Sequence, residues 1–392
     1  MRSRFRILAA LSAVATVASI GAAVIPAGAA ATNLTGVHNS VAGAGSDTSY
    51  WMMQSISPQY NVNTTKNVDA DYVTQIPPVN TAPFPAGQYV TKDAVAVAFN
   101  WNSLTVAQTP PDGSSAGIAA LDADTAGQID FARSSRGPNT GETSTHNFWA
   151  YALGALDFVT FPGTHAPAAG LTQTQLINIY TCNASGPNVG KPIISDWHTI
   201  NASAPVGSTI VKYLPQTSSG TFSFFKSKLL NGNTPDANCD ASHLSTFHQE
   251  HDARSVTTAS KPNAIDAFDY SRWTAQSKGT EADLRNGATL GKLNNVVPSP
   301  TTVNTTASRF IGTRYIFNVV RLASHPAGYT AQQADVERLI GVRPTASGGA
   351  GYICSNLAAR NIINNGFVPL ASGATGGTGL PNSFCRLNPT AL

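Results

Sequence analysis

Short apolar runs alternate along the chain with segments of helical period. Ala94-Val-Ala-Val-Ala-Phe99 alternates small and larger apolar residues, and Gln128 to Phe131 is short and apolar. Leu156-Asp-Phe-Val-Thr-Phe161 runs into Pro162-Gly163, and Thr209-Ile-Val-Lys-Tyr-Leu214 ends at a Ser/Gly turn. Each is read as a strand. Between them lie helices with recognisable ends. Thr172-Gln-Thr-Gln175 is a capping box ahead of Leu176, Ile179 and Tyr180; Ala331 to Ile340 stops at Gly341; Asn356 to Asn364 follows an N-cap at Ser355 and stops at Gly366. The alternation predicts α/β layers. Loops rich in Pro, Gly, Ser or Thr fall at Pro77 to Gly87, Pro298 to Thr306 and Ala371 to Pro381, and no internal repeat is visible.

Composition sharpens this picture. Only 11% of the residues are charged, against about a quarter in an average soluble domain, so a cluster of charges carries information. Arg2, Arg4 and Arg6 precede an Ala-rich apolar run from Ile7 to Ile25 and the small residues up to Ala31. That pattern predicts a secretory signal peptide over 1–31, cleaved near Ala29 to Ala31. Its removal takes three positive charges from a formal +3 and leaves a near-neutral chain. A nucleic-acid partner is therefore not expected. No Cys follows the leader, so no lipid anchor is expected, and the mature protein is expected to be released. Cys182, Cys239, Cys354 and Cys385 suit disulfides in an exported chain. Of the three connectivities, nearest-neighbour pairing, Cys182 with Cys239 and Cys354 with Cys385, is the one expected. About 360 mature residues leave room for two lobes, each with its own core.

Three polar turns share one design. Gly43-Ala-Gly-Ser-Asp-Thr48 precedes a helix with Trp51, Met52 and Ile56; Gly113-Ser-Ser-Ala-Gly117 precedes Ile118 to Leu121; Ser218-Ser-Gly-Thr221 precedes Phe222 to Leu230. Each sets hydroxyls and glycine at a helix N-terminus, where unpartnered N–H groups and a positive dipole end suit an oxyanion. A single such turn is only a cap. Three of them, with Arg133-Ser-Ser-Arg136 after a strand, point to anion binding at the carboxyl ends of strands.

Other motifs carry less. Gly113-Ser-Ser-Ala-Gly117 fits Gly-x-Ser-x-Gly, but no strong strand precedes it and no His or Asp partner can be nominated. Gly186-Pro-Asn-Val-Gly-Lys191 is one residue short of a P-loop and runs into Pro192. His243, His248 and His251, with Glu250, Asp252 and Cys239, do not stack on one helical face, so they are read as solvated loop residues and no metal or other cofactor is expected.

The ordered set Gly43 to Thr48, Gly113 to Gly117, Asp130-Phe-Ala-Arg-Ser-Ser135 and Ser218 to Thr221, with Leu171-Thr-Gln-Thr-Gln-Leu176 between the last two, resembles the phosphate-binding proteins of ABC importers. Those belong to the type II periplasmic-binding-protein superfamily. The resemblance implies a two-lobed α/β fold with two hinge crossovers, placed near Leu156 to Phe161 and Arg314 to Val320. Lobe I would comprise 32–158 and 310–392, and lobe II 159–309. It further implies ligand-binding residues Ser46, Asp47, Thr48, Ser114, Arg133, Ser134, Ser135, Arg136, Ser219, Gly220 and Thr221, with Gly45 and Gly220 letting the backbone approach the ligand. Two positions depart from the family. Its arginine ahead of the Ser-Gly-Thr turn falls at Pro215, and its aspartate after the third motif falls where this chain reads Ser135-Arg136. Arg133 or Arg136 would supply the charge and Asp47 the proton acceptor. The expectation is a monomeric solute-binding protein for inorganic phosphate or a related oxyanion, with no catalysis and with an ABC permease as partner. An extracellular phosphate-ester hydrolase and a noncatalytic surface protein that keeps the fold are the alternatives.

Overall fold

The computed structural model describes residues 40–63, 71–74, 113–123, 129–181, 193–215, 219–235, 244–326, 328, 336–337, 339–340, 351–370, 385–389 and 392. The expected strand at Ala94 to Phe99, Cys182, Cys239, His243, the P-loop-like segment and most of the expected helix at Ala331 to Ile340 lie outside them. So does Ser218.

In chain order the first half contributes β1 (Ser40–Gly45), α1 (Tyr50–Asn63), β2 (Asp71–Thr74), α2 (Ser114–Ala123) and β3 (Phe131–Ser134). β1 pairs in parallel with β2 on one side and β3 on the other. Then β4 (His146–Thr160), fifteen residues long, is buried along almost its whole length. The second half follows with α3 (Gln173–Tyr180), β5 (Val211–Pro215), α4 (Gly220–Phe224), β6 (Leu244–His248), β7 (Ala264–Asp269), α5 (Tyr270–Ser277), β8 (Thr289–Leu290) and α6 (Pro300–Asn304). β5 pairs in parallel with both β6 and β7. The chain returns through β9 (Thr313–Arg321) to α7 (Asn356–Asn364), β10 (Val368–Pro369) and β11 (Arg386–Leu387).

The strand order is β2-β1-β3-β9-β4-β7-β5-β6, with β8, β10 and β11 also pairing on β4. β4 belongs to both halves. From His146 to Ala155 it runs antiparallel to β9, and from Leu156 to Thr160 antiparallel to β7. The two expected hinge segments are thus the far end of β4 and the body of β9, fastened where Leu156 N donates to Gly312 O at 2.9 Å. Two lobes, each a partly parallel sheet covered by helices, meet along this pair.

Local signals hold where they were strongest. Thr172 caps α3 with a reciprocal box through Gln175, a device worth about 1 kcal/mol. Ser355 caps α7, and its far end is a Schellman motif: Gly366 N donates to Ile363 O at 3.0 Å and Phe367 N to Ile362 O at 3.1 Å. Gly366 has φ +80°, which a side chain would resist. Cys354 and Cys385 form a disulfide as expected. Among the described residues no helix is long and apolar enough to cross a membrane.

Candidate functional site

Two pairs of parallel strands, one pair from each lobe, deliver their carboxyl ends to one interlobe crevice. β1 hands over to Ser46, Asp47 and Thr48, and β3 to Ser135; from the second lobe, Ser219 follows β5, while Glu250 and His251 follow β6. This is where open α/β sheets present ligand-binding loops.

Hydroxyls meet there from both lobes. In the first lobe, Ser46 Oγ donates to Ser135 Oγ at 3.1 Å, Ser114 Oγ lies 3.3 Å from Ser135 Oγ, and Ser135 N donates to Ser114 Oγ at 2.9 Å. Across the crevice, Thr48 Oγ1 is 3.4 Å from Thr221 Oγ1. Ser219 caps α4 by accepting from Thr221 N at 3.0 Å. All six hydroxyl residues are buried. Gly220 closes the gap: a Cβ there would lie 2.2 Å from Ser114 Oγ and 3.1 Å from Ser135 Oγ. Gly220→Ala is therefore expected to wedge the lobes apart, with an overpacking cost of about 1–3 kcal/mol and a larger radius of gyration in small-angle scattering. An unchanged radius and unchanged stability would mean that the contact gives way without moving the lobes.

The charges at the centre come from residues the sequence did not nominate. Arg314, on β9, donates to Asp269 Oδ2 at 2.6 Å and Thr221 Oγ1 at 2.9 Å. It also donates to Ser135 O at 3.3 Å. Arg314 opposes Gly154 of β4 and Asp269 opposes Leu156 on its other side, so the ion pair spans the strand shared by both lobes. Glu250 accepts from Thr48 Oγ1, from Thr221 Oγ1 at 2.7 Å and from Ser219 Oγ at 3.4 Å. Its carboxylate thus already takes the hydroxyl donors of both lobes. Burial works to raise the Glu250 carboxyl, but His251, the Thr48 hydroxyl, Arg314 and the Thr221 hydroxyl together hold it below its usual range. For Asp269 burial prevails over Arg314 and Arg272, and its carboxyl is raised. His251 is fully buried, with Nδ1 3.4 Å from Asp47 Oδ2 and its ring edge-on to Trp51. The reading of Glu250 and His251 as solvated loop residues is corrected by this burial: the bend after β6 turns them into the crevice. Asp252 is half-buried and pairs with Arg254.

Both expected arginines have other work. Arg133 donates to the carbonyls of Ser46 at 3.0 Å, Gly43 at 2.9 Å and Gly45 at 3.2 Å, so its fork holds the first turn in shape. Arg136 makes a two-pronged pair with Glu142 at 2.8 and 2.9 Å and donates to Ser115 Oγ at 3.0 Å. Ser134 spends its hydroxyl on Arg136 O within its own turn, at 2.8 Å. Gly45, with φ +114°, makes room for protein: a Cβ there would lie 2.7 Å from Arg133 O and 3.1 Å from Gly117 Cα. Ser46, Asp47, Thr48, Ser114, Ser135, Ser219, Gly220 and Thr221 are brought together as a group. Ser115, the serine of the hydrolase-like motif, is exposed beside Arg136. A groove of about 500 Å³ touches the site through Ser135 and Arg314 and is lined also by Arg136, Lys228, Arg309 and Tyr315.

Known proteins share this fold. Residues 81–329 match the PBP superfamily domain. Among solved structures, the chain is similar to a protein from Clostridium perfringens described as a phosphate ABC transporter substrate-binding protein with bound phosphate. The two share 16% identity over 85% of this chain and 100% of that one, with a TM-score of 0.53. An ABC-type phosphate transport receptor from Vibrio cholerae aligns at 15% identity over 84% of this chain and 99% of its own, with a TM-score of 0.49. Comparison with curated proteins finds no match. The chain, with its two lobes joined through β4 and β9, belongs to the PBP superfamily, the periplasmic-binding proteins.

Proposed function

We propose that this chain is a secreted solute-binding protein that clamps a tetrahedral oxyanion, phosphate, between its lobes. One observation carries the reading: hydroxyl-bearing turns far apart in the chain, Ser46 to Thr48, Ser114, Ser135 and Ser219 to Thr221, converge with the buried Arg314 on one crevice. The phosphate bound by the structurally similar Clostridium protein supports the choice of anion.

The crevice holds acids as well as arginines, so net charge does not attract the guest. Oriented O–H and N–H donors would, with charge-assisted bonds contributing about 1.5–3 kcal/mol each before ordering costs. An entering phosphate takes over the hydroxyls that now serve Glu250 and one another. Glu250 then faces the anion, and the repulsion is relieved only where the guest keeps an O–H that donates it a hydrogen bond. Protonated phosphate can give one and sulfate cannot. Glu250, with Asp47 behind it against His251, is proposed for the acceptor role. Arg133 and Arg136 are assigned to shaping the loops, and Arg314 supplies the positive charge.

No chemical step is proposed. Lobe I is taken as 32–158 with 310–392 and lobe II as 159–309. A monomer released after removal of residues 1–31 would present its closed form to an ABC permease. Titration calorimetry with phosphate and sulfate, beside a chromogenic phosphate ester, tests the reading. Phosphate is expected to bind at a single site and raise the melting temperature, as any ligand that prefers the native state must. Ester turnover would favour a hydrolase, and a melting temperature indifferent to millimolar phosphate would favour a protein that only keeps the fold.

A further inference from the structure

Away from the crevice, two imidazoles and a carboxylate from three separate elements point at one another. Asp122 lies in the last turn of α2, His146 opens β4, and His325 follows the end of β9. His146 Nε2 is 2.6 Å and His325 Nε2 3.1 Å from the same oxygen, Asp122 Oδ1. Their ligand atoms all lie within 4.8 Å of one another. Both histidines are buried, whereas the Asp122 side chain is 39% exposed, so the cluster has an open side.

We propose that Asp122, His146 and His325 form a binding site for a first-row divalent transition metal, zinc foremost, with a remaining position open to water. Zinc bonds to imidazole nitrogen and carboxylate oxygen at about 2.0–2.2 Å, which sets tetrahedral ligand atoms about 3.3 Å apart. The present spacings, 2.6 and 3.1 Å to Asp122 Oδ1 and none above 4.8 Å, bracket that value. The supporting shell is in place. His146 Nδ1 is 2.9 Å from Thr145 Oγ1, whose own proton goes to Glu142 O at 3.3 Å. Without a metal, His146 Nε2 donates to the Asp122 carboxylate at 2.6 Å; a metal would replace that proton, and Thr145 Oγ1 is placed to accept from Nδ1–H, the second-sphere arrangement usual for metal-bound histidine.

The chemistry also selects the class of ion. Two nitrogen donors and one carboxylate suit zinc, copper or nickel and suit calcium or magnesium poorly, since those prefer oxygen. α2 directs its negative C-terminal end toward Asp122, which favours a cation there. The same helix begins at Ser114, so a metal at one end would brace the element that carries a crevice hydroxyl at the other.

Equilibrium dialysis of the metal-stripped full chain against Zn²⁺, with Co²⁺ substitution to read geometry, tests the site. The wild type is expected to take up about one zinc per chain and, with Co²⁺, to show the strong visible absorption of a four-coordinate centre. H146Q/H325Q is expected to lose that equivalent and Asp122→Asn to bind at least about tenfold more weakly, ligand loss costing no less than the loss of a second-sphere partner. Zinc uptake by the double variant equal to wild type, or no uptake by wild type at micromolar zinc, would overturn the proposal. If the double variant fails to fold, Asp122→Asn decides alone: its carboxylate is the exposed member, and an unchanged zinc affinity there counts against the site.

Discussion

Replacing Arg314 with methionine is expected to abolish phosphate binding and to cost about 3–5 kcal/mol of stability, the usual penalty for removing one partner of a buried ion pair. Arg314 and Asp269 are both essentially without solvent contact, and Arg314 also reaches Thr221 from the second lobe. The methionine variant leaves the Asp269 carboxylate in a core with less to neutralise it. A double variant, Arg314→Met with Asp269→Leu, separates the two roles. Matched apolar replacement of a buried pair is often close to neutral, so urea unfolding should recover most of the lost stability. Calorimetry should still find no phosphate binding, because the guanidinium facing the crevice is gone. A double variant that binds phosphate as the wild type does would remove Arg314 from the ligand shell.

Glu250→Gln is expected to admit sulfate. In the proposed role the wild-type carboxylate must accept a hydrogen bond from its guest, and a neutral amide has no such requirement, so the ratio of phosphate to sulfate affinity should fall by at least about tenfold, equivalent to about 1.4 kcal/mol. Competitive calorimetry on both proteins reads the ratio directly; equal ratios would mean that Glu250 does not choose the anion. The same substitution has a signature without ligand. The carboxyl of Glu250 is held below its ordinary value of 4.5 in the folded protein. Its contribution to stability is therefore present above that value and is lost as the pH falls through the lowered one. Unfolding curves recorded below pH 4.5 should fall less steeply with acid for Glu250→Gln than for the wild type.

Features written within a few residues of sequence were legible; those that need distant partners were not. The cap at Thr172, the stop at Gly366 and the hydroxyl turns at Ser46, Ser114 and Ser219 each rest on neighbours nearby in the chain. Glu250 and Arg314 rest on partners far away: Thr48 is 202 positions from Glu250 and 266 from Arg314. Arg133 and Arg136 drew attention because they sit beside serines, yet an arginine next to a turn can serve that turn's own carbonyls, and Arg133 does so three times. One signal for Arg314 was available. It lies inside the apolar run Thr313-Arg-Tyr-Ile-Phe-Asn-Val-Val320 of a chain poor in charges. A cation within a buried strand is costly without a partner, so its presence there already announced an ion pair.

β9 lies between β3 and β4 in the sheet although its first residue, Thr313, comes 179 positions after Ser134, the last of β3. While the chain emerges from the ribosome, β3 and β4 therefore have bare facing edges until residues 313–321 arrive to fill the slot. Long-range insertion of this kind is slow and leaves unpaired strands open to intermolecular pairing. Under the export proposed for this chain the delay is an asset, since a sheet that cannot zip up early stays threadable through a translocation channel.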